Sequence, residues 1–319
     1  MTMTAEPLKE MPKPMSAPAN SQDEGRKLGF RLTLPAQVLV LFISLFPLLM
    51  QLYISLTDWS PLSGMAWPSA WEMWNNFANY TDLISDDRLW AALGRTGLVM
   101  AVSVPLEFLL GLGLATLFAD DFPGKRLFYS ILIMPMMVVP AVAGYMFYML
   151  FQSGGPVNDI LSSILGTPVT VAWLSDPTLA LVAVMVADIW QWTPLMFLIL
   201  LAGLVGVPED QMRAATLLGA SPWQKFRTIV LPRMKTIIII ALAIRVIECF
   251  KIFDTLYIMT GGGPGVATET ISVYIYKITT QDLIWGYVAA IALAILIVLS
   301  VVCVWAMKRM ARASQGERA

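Results

Sequence analysis

The chain contains apolar runs that are too long, and too evenly apolar, for a soluble core. Crossing a bilayer takes about 20 residues of helix. Six stretches reach or approach that length: 35–56, 96–118, 127–151, 179–206, 236–260 and 284–307. A helix of a soluble core shows one apolar stripe, whereas these are apolar all round. Of 319 residues, 57% are hydrophobic and only 13% charged; an ordinary soluble domain carries about 25% charged residues. The fold class that follows is all-α, a polytopic membrane protein of six transmembrane helices spanning 34–308. Residues 1–33 hold Pro, Lys and Glu without the apolar core of a signal peptide, and are expected to be a disordered tail. A second tail is expected over 309–319.

Lys and Arg concentrate in cytoplasmic loops and so set the orientation. Sixteen of the 21 fall in the two termini, at Lys125 and Arg126, and within 213–235. Three, Arg88, Arg95 and Lys277, fall on the opposite side, and Arg245 and Lys251 lie within the fifth stretch. Both termini and segment 213–232 are therefore expected in the cytoplasm. On the outer side, 57–95 is rich in Trp, Asn and Asp. It reads either as an interfacial anchor or as a docking surface for an external partner. Residues 260–283 open with TGGGPGVATE, whose glycines and proline end the fifth helix.

Composition also excludes. There is no His, which removes the commonest general base and metal ligand. Cys249 and Cys303 both sit in apolar runs and are expected to pack as small hydrophobes rather than to form a disulfide. A net charge of −1 offers no basic surface to nucleic acid. No G-x-x-x-x-G-K-[ST] occurs; the PGKR at 123–126 lacks the upstream glycine. The chain has no ATPase site of this kind.

Between the fourth and fifth stretches lies RAATLLGASPWQKFRTIVLP, residues 213–232, which is amphipathic and basic. Met212, Ala215, Leu218 and Trp223 recur near helical spacing, and Gly219 interrupts them. Ser221 followed by Pro222 is the pattern of an N-cap before a proline at the first helical position. The pattern predicts two short helices meeting at a bend around 219–222, the second stopping near Pro232. On the residues alone, this is either a helix lying on the membrane or one held by another protein.

The order of Ala214, Ala215, Gly219, Ala220, Trp223, Phe226, Ile229, Leu231 and Pro232 resembles the EAA loop of ABC importer permeases. It lies where that family places it, on the cytoplasmic side between the fourth and fifth of six spans. Arg213 stands where the family has the acid that gives the motif its name, and Leu218 where it has an Asp. The runs LAGLVGVPEDQMRAA and RVIECFKIFDTLYIMTGGGP are similar to the carbohydrate-type members, and the likeness extends from about Leu34 to Met307. The resemblance implies a type I importer permease with a coupling loop over 207–233. That loop would dock in a cleft of the ATPase through Arg213, Ala214, Ala215, Gly219, Ala220, Trp223, Phe226, Leu231 and Pro232. It further implies a second permease subunit of like fold, a dimer of nucleotide-binding ATPase subunits and an external solute-binding protein, in the lipid of a bacterial inner membrane. ATP and Mg would be bound by the partner ATPase, and no cofactor by this chain.

Arg245, Glu248, Lys251 and Asp254 recur at i, i+3 through the fifth stretch. A charge near the centre of a span costs roughly 2.5–3.5 kcal/mol on insertion scales, so these residues are paired or face water. Glu248 is expected on the translocation pathway with Arg245 as its partner. Phe250, Phe253 and Tyr257 either offer aromatic faces to a sugar ring or simply pack. In DIWQWTP, 188–194, Pro194 frees a carbonyl near Trp190. Either a kink there is satisfied by neighbours, or Trp190, Gln191 or Trp192 touches the solute. The reading is the transmembrane subunit of an ATP-driven importer of a sugar or sugar-like solute. The rival is a self-contained secondary transporter, proton-driven through Glu248 or Asp254. It predicts inverted repeats, and the two halves show no convincing one.

Overall fold

A helix satisfies its backbone groups internally, as hydrocarbon surroundings require, and the computed structural model, which describes residues 19–316, is built of helices. The β-bridge between Thr57 and Trp74 is isolated. Helix α1 (Ala19–Ser55) begins inside the stretch expected as a tail, and residues 1–18 lie outside the described residues. A 3-10 turn (Trp67–Met73) and α2 (Ala78–Ser85) follow, with Trp67, Trp71 and Trp74 left exposed. Helix α3 (Asp87–Leu117) starts ahead of the expected residue 96, because Asp86 caps it by accepting from the amides of Arg88 and Leu89, both at 3.0 Å. Arg88 and Arg95 are thereby drawn into the helix.

The sequence predicts one helix over 127–151, but the structure has two. Helices α4 (Lys125–Met137) and α5 (Pro140–Leu150) are bent by 98°. Pro140 is the cause, since a proline drives the residue before it to extended backbone. Val138 and Val139 have ψ of 130° and 133°. The carbonyls freed at the bend are satisfied by side chains: Gln191 Nε2 donates to Val138 at 2.9 Å and Thr255 Oγ1 to Pro140 at 3.0 Å. Gln191 therefore braces an irregular backbone.

Helix α6 (Pro156–Leu165) leads to α7 (Pro177–Val205), which begins on Asp176 as N-cap and Pro177 as first residue. After it come α8 (Glu209–Leu217), α9 (Pro222–Lys225), α10 (Leu231–Phe250), α11 (Asp254–Thr260), α12 (Ile271–Lys277) and α13 (Trp285–Gly316). The helix expected over 236–260 is broken at 251–253. By length and apolarity, four helices among the described residues can cross a membrane: α1, α3, α7 and α13. The bent pair α4–α5 makes a fifth if it counts as one span. Helix α10 carries Arg233, Lys235, Arg245 and Glu248, so the expected six spans are not reached by that measure. Both cysteines are free, Cys249 buried and Cys303 exposed.

Helices α3 and α7 form the most extensive pair. Gly111 permits the approach: a Cβ there would lie 2.9 Å from the Phe197 amide nitrogen and from Met196 Cγ. Gly111→Val is expected to wedge the pair apart and cost about 1–3 kcal/mol, the usual range for overpacking. Thermal unfolding in detergent checks this; an unchanged midpoint would contradict it.

Candidate functional site

Segment 209–232 is built by local signals. Helix α8 ends in a Schellman motif, with Ala220 donating to the Ala215 carbonyl and Gly219 to that of Thr216, both at 3.0 Å. Gly219 takes φ +78°, the left-handed region that glycine enters without steric cost. No atom lies within 4 Å of where its Cβ would be, so backbone conformation, not crowding, selects glycine. Ser221 caps α9 in a reciprocal box: the Gln224 amide donates to Ser221 Oγ at 3.2 Å, and the Ser221 amide to Gln224 Oε1 at 2.7 Å.

The second helix does not stop near Pro232, as the sequence suggests. It passes through a π turn (Phe226–Val230) straight into α10, whose first turn holds Pro232. Proline lacks an N–H and crowds the carbonyl one turn back. A widened turn, in which the Leu231 amide donates to the Phe226 carbonyl, carries the helix past it.

The tip exposes an apolar patch. Leu217 and Leu218 are 89% and 88% exposed, and Trp223 66%. Trp223 stacks on Phe226, with ring centroids 5.7 Å apart. Phe226 and Met212 turn inward against Val230, Met234 and Phe197. Arg213, in the acid's place, pairs with Glu209 one turn back. Ala214 is exposed, Ala215 and Ala220 are half-buried, and Leu231 and Pro232 form the root of the segment.

In the membrane region, Arg245 pairs otherwise than expected. Its partners are Glu107 on α3 and Asp188 on α7, not Glu248. Nη2 donates to Glu107 Oε1 at 2.8 Å and also to Asp188 Oδ2, and Nε donates to Glu107 Oε2. All three side chains are buried, and the guanidinium lies 5.1 Å from the Trp192 ring centroid. Glu248 points elsewhere and pairs with Lys251 at 2.9 Å on the exposed side. The i, i+3 spacing brought that pair together. Glu107 was not anticipated, although a lone carboxylate inside an apolar run is itself a signal.

Trp190 and Phe250 pack: Trp190 meets Phe147 edge-on at 5.3 Å, and Phe250 lies against the cluster around Tyr274 and Ile291. Tyr257 stacks on Phe253 at 5.2 Å and meets the Tyr276 ring at 4.9 Å. Half-buried Phe253 and Tyr257 and exposed Tyr276 adjoin the break at 251–253, where Lys251 and Asp254 are exposed. Charged and aromatic groups thus share the open face at the discontinuity.

At one end of the bundle, the three basic residues assigned to the outer side converge on one buried carboxylate. Glu269 accepts from Arg88 in a fork at 2.9 Å, from Lys277 Nζ at 3.0 Å, and offers its backbone carbonyl to Arg95 Nε at 2.8 Å. Burial pushes the Glu269 carboxyl up, but the bonds from Arg88 and Lys277 outweigh it and hold the group below its ordinary value. The Gly-rich loop before Glu269 also forms one wall of a cleft of about 870 Å³, between Tyr145, Tyr148 and Gln152 on one side and Thr260 and Pro264 on the other.

Residues 107–314 match the family described as "Binding-protein-dependent transport system inner membrane component". The "Probable ABC transporter permease protein y4oQ" of Sinorhizobium fredii is 38% identical over 77% of this chain and 77% of that one. The "Trehalose transport system permease protein SugA" of Mycobacterium tuberculosis is 35% identical over 78% of each. In fold, the chain is similar to one solved in a crystal structure of a bacterial alginate ABC transporter bound to its alginate-loaded periplasmic protein. The TM-score is 0.75 at 18% identity, covering 89% of this chain and 94% of that one.

Proposed function

The chain belongs to the family of binding-protein-dependent transport system inner membrane components, and from that premise we propose that it is the permease subunit of an ATP-driven sugar importer. Trehalose in the name of a relative of 35% identity supports the sugar class. A second permease of like fold, two ATPase subunits that bind ATP and Mg, and an external solute-binding protein complete the assembly in the bacterial inner membrane. This chain carries no ATPase site of its own. The self-contained, proton-driven alternative is not favoured, since the relatives are ABC permeases.

The observation that carries the coupling role is the tip. Leu217, Leu218 and Trp223 project into solvent from a bend that local bonds hold rigid, and such a patch needs a covering partner. The ATPase grips it, with Gly219 fixing the angle and Ala214, Ala215 and Ala220 allowing close approach. Closure of the ATPase moves the segment and, through Phe226, Leu231 and Pro232, α10. The open face at Glu248, Lys251 and Asp254, with Tyr257 beside it, lies toward the solute, and the outer cleft receives it. Trp192, under Arg245, and Trp190 and Phe250 support this pathway by packing.

Gly219→Val tests the proposal. A β-branched residue cannot hold φ +78° without strain. The variant is expected to reach the membrane in normal amount and to lose solute-stimulated ATP hydrolysis by about tenfold or more, as when a docking contact of over about 1.4 kcal/mol is lost. Full coupled hydrolysis would count against the docking role.

A further inference from the structure

We propose that Glu107 and Asp188 share one resident proton beside Arg245, which makes the buried site electrically neutral. The inference is independent of the transport reading. The three side chains are 0%, 3% and 2% exposed, and a single guanidinium faces both carboxyls, with the same Nη2 donating to each. With both carboxyls ionised the site would hold one uncompensated negative charge away from water, a state that buried groups escape by taking up a proton.

Contact gives the same answer as charge. Arg245 Nη2 holds an oxygen of each carboxyl against the same donor. Ionised carboxylates only accept hydrogen bonds, so two carboxyls crowded on one donor repel unless one carries hydrogen. The balance is simple: one carboxylate takes H⁺ from water and no other bond changes.

The remaining groups at the site fit this. Cys249, on α10, places Sγ 3.7 Å from the same Asp188 oxygen as a weak donor. Glu248 and Lys251 are occupied with each other on the exposed side. Among the described residues, buried Arg245 Nη1 has no acceptor and Ser103 Oγ, one turn before Glu107 on α3, has no partner. Sealed among α3, α7 and α10, this proton is a structural resident and not a transported ion.

Infrared spectroscopy of the full chain in lipid near neutral pH tests the assignment. The wild type is expected to show the C=O stretch of a protonated carboxylic acid that is slow to shift in heavy water. Glu107→Gln or Asp188→Asn should each abolish that band, because the carboxyl left alone with Arg245 ionises. Glu248→Gln should keep it. Absence of the band from the wild type, or its persistence in either amide variant, overturns the proposal. Each amide variant decides by itself, so failure of one to insert leaves the other.

Discussion

Arg245→Met is expected to cost about 3–5 kcal/mol of stability, the loss typical of removing one partner from a buried ion pair. The mechanism is desolvation. Glu107 and Asp188 are buried at the junction of α3, α7 and α10, and Arg245 is the cation that answers both. Methionine keeps length and apolar contact but leaves two carboxyls without their donor. Because α3 and α7 are the main helix pair, the damage is global. Unfolding in detergent, followed by tryptophan fluorescence, should show an early transition or no folded chain. A triple variant, Glu107→Gln with Asp188→Asn and Arg245→Met, is expected to recover much of the loss, since the cost lies in unpaired charge. A single variant as stable as the wild type would refute the argument.

Glu269→Gln should open this end of the bundle, at about 2–4 kcal/mol. That is less than a fully buried pair, because Arg88 is 42% exposed and partly screened. Arg88, Arg95 and Lys277 lose their common anion, and the loop over 260–270 loses its anchor. Protease should then cut this loop while α3 and α7 stay protected. The wild type carries the matching acid sensitivity. The folded value of Glu269 lies below 4.5, so its contribution is complete above 4.5 and disappears as pH falls through the lowered value. A loop over 260–270 equally resistant in variant and wild type, at neutral and acid pH, would sink this account.

Much of the fold was legible because its causes are local. The apolar runs of α1, α3, α7 and α13, the cap at Ser221 and the turn at Gly219 each follow from residues within a few positions. The bend before Pro140 was local too, yet uninterrupted apolarity across 127–151 hid it: hydropathy reports what surrounds a segment and is silent on its direction. The partners of Arg245 were not legible. Glu107 and Asp188 lie 138 and 57 residues away in sequence, and only packing decides which of several carboxylates an arginine meets. The pairing of Arg245 with Glu248 failed for the same reason, because i, i+3 spacing allows contact on a helix without excluding a better partner across it. The residues proposed for coupling were picked out by likeness to a family; of them Arg213, Ala214, Gly219, Trp223 and Pro232 are exposed, whereas Ala215, Ala220, Phe226 and Leu231 are half-buried.

The helical path from Pro222 to Phe250 has no loop in it, since the π turn takes up the proline. From Trp223 to Arg245 this makes a rod of about 33 Å at 1.5 Å per residue. Rocking such a rod by about ten degrees at one end displaces the other by about 6 Å, close to one helical pitch of 5.4 Å. A tilt at the tip is therefore passed to the neighbourhood of Arg245 and Glu248 as a displacement of that order, with no joint between to absorb it.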